Sequence, residues 1–182
     1  FFYEYDILDK NEGGRKMSFI ERIKEIARTE IKTIVLPEAT DSRILEAAQI
    51  VKNEGYAKII LIGDEEKVKE IANDKGINIE NIQIVNPLKD KKTEEYAKAL
   101  YELRKSKGMT EEQAHQLILD PVYFGMMMVE CGDADAFITG TYTKYTETIQ
   151  IAKDVIGIRE GHTHFGAMHI ITTPKGTFFL AD

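Results

Sequence analysis

Short apolar runs alternate with amphipathic helical patterns along the first half of the chain, and this alternation limits the fold more than any other feature. The runs at 33–36, 58–62 and 82–85 are unbroken and rich in β-branched residues. Such runs are typical of strands that are buried on both faces of a parallel sheet, because helices cover both faces. The sequence therefore predicts an α/β fold with a doubly wound, mainly parallel sheet and helices on both faces, in three layers.

The second half of the chain continues this pattern with helices and three further strands. Helices are predicted over 93–107, 110–119 and 121–131, and the last is apolar nearly all round, which is typical of a buried helix. The further strands are predicted at 136–139, 167–172 and 177–180. We expect the run at 177–180 to lie inside the sheet.

The composition sets bounds on location and partners. The formal net charge of −7 argues against a general nucleic-acid binder, which needs a basic face to neutralise phosphates. The single cysteine, Cys131, excludes an internal disulfide and fits a reducing compartment. No run approaches the ~18 apolar residues of a membrane span. These features predict a cytoplasmic protein that binds neither nucleic acid nor membrane.

The two ends of the chain differ from the rest. Residues 1–16 combine aromatic side chains without periodicity and a charged, glycine-rich stretch just before Met17. We expect them to be a leader or a disordered extension, with a genuine flexible arm as the alternative. Residues 17–182 form the predicted α/β domain. Because the chain ends two residues after a predicted core strand, it is expected to be the N-terminal part of a two-domain protein.

A hydroxyl-rich loop follows the predicted strand at 136–139. It begins with Thr139, Gly140 and Thr141, at the carboxyl end of the strand, where open α/β sheets bind ligands. The loop offers backbone N–H groups and hydroxyls, with no fixed negative charge before Glu147, and this chemistry suits an anion such as phosphate. Taken alone, the pattern is equally typical of an ordinary turn.

Six segments of the chain, in this order, resemble the phosphate acetyltransferase and phosphate butyryltransferase family. They are IVLPEATDSRILEAA (34–48), AKIILIGDEEKV (57–68), ALYELRKSKGMTEEQA (99–114), DPVYFGMMMV (120–129), GDADAFITG (132–140) and GTFFLAD (176–182). The resemblance implies transfer of an acetyl group between CoA and phosphate, from acetyl-CoA and phosphate to acetyl phosphate and CoA. It implies CoA or acetyl-CoA as substrate, no separate cofactor, no metal and a homodimer at full length.

Members of this family have a second α/β domain, and their active site lies in the cleft between the two domains. The resemblance therefore implies that the main catalytic residues lie outside this chain and that the fragment is inactive alone. Arg43 resembles an arginine at the CoA and phosphate end of the cleft, although the residues alone also allow a surface pair with Asp41. Arg104 resembles a second active-site arginine. The loop residues Thr139, Gly140 and Thr141 correspond to the family's Ser-Gly loop, and Thr148 is similar to a threonine of the site.

One position departs from the acetyltransferase pattern. Gln150 stands where these enzymes usually carry an arginine that is a candidate for binding phosphate. The loop that precedes it and the stretch 159–170 are more similar to the version of the domain fused to NADP-dependent malic enzymes, which resembles a regulatory acetyl-CoA sensor. Three interpretations stay open: a phosphate acetyltransferase, an acetyl-CoA-binding regulatory domain, and a phosphate butyryltransferase. His162, His164 and His169 lack the cysteine or carboxylate neighbours of a zinc site, and no metal is expected.

Overall fold

A computed structural model describes residues 11–12, 15–16, 18–173 and 176–181. These residues form two compact units: Ile31–Gly157, and the described residues that precede and follow it. The strands, in chain order, are β1 (Asn11–Glu12), β2 (Arg15–Lys16), β3 (Lys32–Leu36), β4 (Ala57–Ile62), β5 (Gln83–Val85), β6 (Ala136–Phe137), β7 (Met168–Thr173) and β8 (Gly176–Ala181). The helices are α1 (Phe19–Thr29), α2 (Ser42–Glu54), α3 (Glu65–Lys75), α4 (Thr93–Arg104), α5 (Glu111–Ile118), α6 (Pro121–Glu130) and α7 (Tyr145–Val155).

Four parallel strands form the sheet of the Ile31–Gly157 unit. Their order across the sheet is β5-β4-β3-β6, and each neighbouring pair is parallel. The chain runs outward from β3 to β5 and then returns to place β6 on the other side of β3. The winding direction therefore reverses between β3 and β6. In open α/β sheets, ligands bind in the crevice outside the carboxyl ends of the strands at such a reversal.

Helices cover both faces of this sheet. Leu36 and Leu61 pack in the core cluster that includes residues of α2 and α3. Val35, Ile60 and Ile62 pack in the cluster that includes residues of α4 to α7. The two sets alternate along β3 and β4 because successive side chains of a strand point to opposite faces. The predicted three-layer α/β architecture is confirmed.

Local signals in the sequence set the ends of several helices. Ser18 and Glu21 form a reciprocal capping box at the start of α1, with N–H···O distances of 2.8 and 3.2 Å. Asp41 caps α2 by accepting a hydrogen bond from the backbone of Arg43 at 2.9 Å. At its other end α2 stops at Gly55, whose φ of 67° lies in the left-handed region that favours glycine.

The last two predicted strands do not join the parallel sheet, and this part of the prediction is wrong. β7 and β8 pair with each other in an antiparallel hairpin, in register from Met168 opposite Ala181 to Thr173 opposite Gly176. Only two residues separate them, which is enough for an antiparallel turn but far too short for a parallel crossover. Every residue of β7 is exposed. The apolar pattern predicted the strands correctly, but it carried no information about their partner.

An aromatic contact lies in the smaller unit. The rings of Phe19 and Phe179 meet edge to face with centroids 6.2 Å apart. The predicted leader lies largely outside the described residues; of it, only β1 and β2 are described, and they pair antiparallel. Within the described part of the chain, no helix has both the length and the apolar character required to cross a bilayer.

Two aspartates just before β6 hold the start of this strand in place. Asp135 Oδ2 accepts a hydrogen bond from the backbone N–H of Thr33 at 2.8 Å, which ties the starts of β6 and β3 together. Asp133 pairs with the ammonium of Lys92 and accepts a hydrogen bond from Tyr96 Oη at 2.6 Å. These two contacts lower the pKa of Asp133. The start of β6 is thereby held against α4 as well as against the sheet.

Gly125 in α6 provides a test of how tightly β6 is packed. A Cβ atom at this position would lie 2.6 Å from the ring of Phe137 and 3.0 Å from Ile62 Cδ1. We expect Gly125→Ala to lower the free energy of unfolding by about 1–2 kcal/mol, because overpacking outweighs the better helix propensity of alanine. Urea unfolding should show this loss, with the exposed Asn53→Ala in α2 as control. Equal or greater stability of Gly125→Ala would show that the Phe137 and Ile62 side chains can make room for a methyl group.

Candidate functional site

A buried carboxylate lies in the crevice between β3 and β6. Glu38 follows the carboxyl end of β3 by two residues, and only 1% of its surface is exposed. Its side chain is directed at the loop that connects β6 to α7. The site is therefore built where the winding of the sheet reverses, which is where the fold class places ligands.

The carboxylate of Glu38 accepts five hydrogen bonds from this loop. Oε2 accepts from the backbone N–H groups of Gly140 and Thr141, at 3.1 and 2.8 Å. Oε1 accepts from the N–H groups of Tyr142 and Thr143, at 3.0 and 2.9 Å, and from Thr143 Oγ1 at 2.9 Å. Successive N–H groups of a loop that converge in this way form an anion-binding concavity. In this molecule the anion is the protein's own glutamate, so the N–H groups of Gly140 and Thr141 are already engaged.

These contacts decide the ionisation of Glu38. Burial alone raises the pKa of a carboxyl group, because it penalises the charged form. The hydrogen bonds from Tyr142, Thr141 and Thr143 outweigh burial and lower the pKa of Glu38 from the ordinary 4.5 to about 2. Glu38 is therefore a buried anion at neutral pH, stabilised by N–H dipoles and one hydroxyl.

This shift makes stability depend on pH in a defined window. A carboxyl whose pKa is lowered by folding stabilises the protein above its unfolded pKa, and loses that contribution as the pH falls through the folded pKa. For Glu38 the loss begins near pH 4.5 and is complete below about pH 2. It amounts to about 3 kcal/mol. We expect urea unfolding of wild type to show this loss and Glu38→Gln to lack it, while Asp133 contributes to both proteins. The contribution of Asp41 differs between them, because the charge of Glu38 raises the pKa of Asp41 in wild type. Identical pH profiles would contradict the assignment.

Arg43 lies at the start of α2 and pairs with Asp41. Its Nε donates to Asp41 Oδ1 at 3.0 Å and its Nη2 lies 2.6 Å from Oδ2, which is a bidentate contact. The pairing raises the pKa of Arg43 and lowers that of Asp41, and the charge of Glu38 acts on both. Because the Arg43 side chain is 70% exposed, its guanidinium is accessible to a ligand despite the pair. Arg43 can therefore pair with Asp41 and still be a residue of the predicted ligand site.

Arg104 and Gln150 meet at one carboxylate. Arg104 Nη2 lies 2.8 Å from Oδ1 of Asp154, in the last turn of α7, and both side chains are partly buried. Gln150 Nε2 donates to the same oxygen at 3.2 Å. Arg104, Asp154 and Tyr123 line a cavity of about 620 Å³ between α4, α5, α6 and α7. The structure therefore brings together the second predicted arginine and the position where the sequence departs from the acetyltransferase pattern.

The hydroxyls of Thr139 and Thr148 have no hydrogen-bond partner. Both Oγ1 atoms are buried, and they are the two such side-chain atoms among the described residues. Buried hydroxyls are nearly always hydrogen-bonded in folded proteins. Thr139 immediately precedes the loop held by Glu38, and Thr148 lies in the first turns of the helix that follows it. These two hydroxyls are therefore buried polar groups of the predicted site whose hydrogen-bonding capacity is unused.

The predicted residues fall into two groups. Arg43 and the 139–141 loop border the crevice around Glu38, whereas Arg104 and Gln150 surround Asp154. Asp154 lies about 15 Å along α7 from Lys144, the residue just before the helix, at 1.5 Å per residue. Within the described part of the chain, no hydrogen bond or ion pair joins Arg104 to this loop. No cluster of three or more potential metal ligands is present in that part either.

Sequence reasoning missed Glu38, Thr143 and Asp154 as parts of the site. Glu38 was visible only as the residue that follows Pro37 after a strand, and acidic residues are mostly exposed. Its position at the carboxyl end of β3 was the one available signal, because a hydroxyl-rich loop was predicted at the end of another strand. Asp154 had no local signal, since its role depends on the approach of α4.

The chain belongs to the phosphate acetyl/butyryl transferase family, whose model, "Phosphate acetyl/butaryl transferase", matches residues 18–182. It is 41% identical over 172 residues to a phosphate acetyltransferase of Acetivibrio thermocellus, covering 91% of this chain and 51% of the relative. It is 36% identical to a phosphate acetyltransferase of Helicobacter pylori, covering 95% of this chain and 33% of the relative. An NADP-dependent malic enzyme of Escherichia coli is 37% identical, with 90% and 22% covered.

A solved structure gives the same result for the fold. The EutD phosphotransacetylase from Staphylococcus aureus superimposes with a TM-score of 0.78 at 31% identity, covering 86% of this chain and 47% of that one. The chain thus spans about half the length of this phosphotransacetylase and of the Acetivibrio relative. The resemblance inferred from the six motifs is confirmed at the level of family and fold.

Proposed function

We propose that the protein to which this chain belongs is a phosphate acetyltransferase, which transfers an acetyl group between CoA and phosphate. Membership of the phosphate acetyl/butyryl transferase family carries this proposal. The crevice of the sheet supports it, because unpartnered hydroxyls and an exposed arginine border the place where this fold class binds ligands. We further propose acyl-CoA and phosphate as small-molecule substrates, no separate cofactor, a cytoplasmic location and a homodimer at full length.

The proposed reaction needs three kinds of group. A phosphate oxygen attacks the thioester carbonyl carbon, the C–S bond breaks, and CoA leaves with the electron pair as a thiolate that takes up a proton. Phosphate requires cationic donors, for which Arg43 and Arg104 are the proposed groups. The carbonyl oxygen needs hydrogen-bond donors where negative charge develops, a role proposed for the hydroxyls of Thr139 and Thr148. The groups that assist the thiolate are proposed to lie outside this chain.

A regulatory acetyl-CoA-binding domain is the second candidate. Gln150 favours it, since the arginine usual in the acetyltransferases is missing at this position. The likeness to an NADP-dependent malic enzyme points the same way. Asp154 also compensates the charge of Arg104 within the protein. Phosphate butyryltransferase is a further alternative that differs from the first only in the acyl group.

Assays of the protein from the complete reading frame separate these candidates. Acetyl phosphate formation from acetyl-CoA and phosphate supports the first, and a preference for butyryl-CoA supports the third. Acetyl-CoA binding by calorimetry without turnover supports the regulatory domain. If neither binding nor turnover is observed, all three candidates are excluded. The 182-residue chain is expected to be inactive alone.

The arginines can be tested against a neighbouring lysine. We expect Arg43→Ala or Arg104→Ala in the complete protein to lower kcat/KM for phosphate or CoA by about 10- to 100-fold, the equivalent of one charge-assisted hydrogen bond. Lys105→Ala is the matched control, because Lys105 adjoins Arg104 but pairs with the exposed Glu102. Steady-state kinetics over phosphate and CoA series measure the effect. Unchanged kcat and KM in both arginine variants would exclude these residues from the site.

Gln150 allows a gain-of-function test. A glutamine donates a neutral hydrogen bond, whereas an arginine adds Coulombic attraction for phosphate in a shielded cleft. In the complete protein we expect Gln150→Arg to raise acetyl phosphate formation at limiting phosphate, with little change in acetyl-CoA affinity. A phosphate titration of initial rates measures this. Slower turnover by Gln150→Arg than by a fully active wild type would show that another residue holds phosphate.

A further inference from the structure

We propose that Glu38 is a positioning residue, whose buried carboxylate takes the place of a bound anion and sets the conformation of the loop after β6. The loop in question is Gly140–Thr143, the residues that donate to Glu38. As regards activity, this inference rests on the function proposed above. Its structural part does not, because the hydrogen bonds of the loop can be measured in this chain.

The geometry is that of an occupied anion site. Four consecutive N–H groups and one hydroxyl converge on the two oxygens of Glu38, at 2.8–3.1 Å. A carboxylate buried to this degree is costly unless hydrogen bonds satisfy it. The same holds for the N–H groups, which would be unsatisfied around an apolar side chain. Carboxylate and loop conformation therefore depend on each other.

The position of the loop gives this dependence a consequence for the site. Thr139 immediately precedes the loop, and Thr148 lies in the first turns of α7 after it. Their two buried hydroxyls lack partners, so a ligand that uses both must find them at a fixed separation. Glu38 accepts no hydrogen bond from either hydroxyl, but the loop that it holds determines the positions of the residues on either side of it.

Chemical rescue tests the inference in the 182-residue chain. Glu38→Ala empties the carboxylate position, and we expect amide hydrogen exchange at Gly140–Thr143 to become roughly 10- to 100-fold faster, as for the loss of a charge-assisted hydrogen bond. Sodium formate should restore slow exchange by placing a small carboxylate in the vacated position. Sodium chloride at the same ionic strength should not. Glu46→Ala is the matched control, because Glu46 is an exposed glutamate on α2.

Two outcomes overturn the inference. One is unchanged exchange of the loop amides in a folded Glu38→Ala protein; the other is faster exchange that formate and chloride restore equally. If Glu38→Ala does not fold, Glu38→Gln provides the test. It keeps the shape of the side chain but replaces one of the two acceptor oxygens with an NH2 donor, which leaves one pair of loop N–H groups without an acceptor. Faster exchange at one of these pairs then supports the inference, and unchanged exchange at all four N–H groups contradicts it.

Activity distinguishes this inference from the proposed function. In the complete protein, Glu38→Ala should lower kcat for acyl transfer at least 10-fold, and formate should recover kcat while the affinity for CoA changes little. A purely structural role would lower the amount of folded enzyme without this recovery. If formate restores slow exchange in Glu38→Ala but the wild-type protein lacks acyl transfer, the proposed function is wrong and the role of Glu38 in the loop still holds. Unchanged kcat in Glu38→Ala would sink the inference alone.

Discussion

The hydrogen bonds between Glu38 and the loop after β6 are the interaction on which the site depends. A buried carboxylate is disfavoured by desolvation, and a loop whose N–H groups point inward is disfavoured unless an acceptor is present. The carboxylate and the loop stabilise each other through five hydrogen bonds, which lower the pKa of Glu38 to about 2. The contact joins the carboxyl end of β3 to the segment after β6, across the point where the sheet reverses its winding. It thereby fixes both walls of the crevice.

Carboxylates of the protein also pair with the other side chains that the sequence predicts to bind an anion. Asp41 holds Arg43, and Asp154 holds Arg104 together with Gln150. These pairs differ in accessibility: 70% of the Arg43 side chain is exposed, against 26% for Arg104. An anion from solvent can approach Arg43 directly, whereas at Arg104 it would have to compete with a partly buried ion pair, where separating the charges costs more. Among the described residues, the hydroxyls of Thr139 and Thr148 are the two buried side-chain polar groups without a hydrogen-bond partner.

Much of the fold was predictable because its signals are local. The buried runs of β3 and β4 and the cap residues Ser18 and Asp41 act through neighbours close in sequence. The prediction went wrong at β7 and β8, where strand propensity was read as membership of the sheet. Propensity describes a residue's own backbone, whereas pairing depends on which edge is within reach. The six motifs identified the family correctly, because their order along the chain carries information that no single motif holds.

The sequence by itself determined the helices, the strands of the sheet and the loop at 139–141 as a candidate site, since each follows from patterns within about ten residues. The tertiary structure alone decided what that loop binds. Glu38 and Gly140 are 102 residues apart, and Arg104 meets Asp154 only because α4 packs beside α7. In the sequence both acids are indistinguishable from exposed ones. The role of Glu38 arises when parallel strands place distant carboxyl ends side by side, and that of Asp154 when two helices pack together. In both cases a charge that is removed from solvent must be matched by the donors that the fold places next to it.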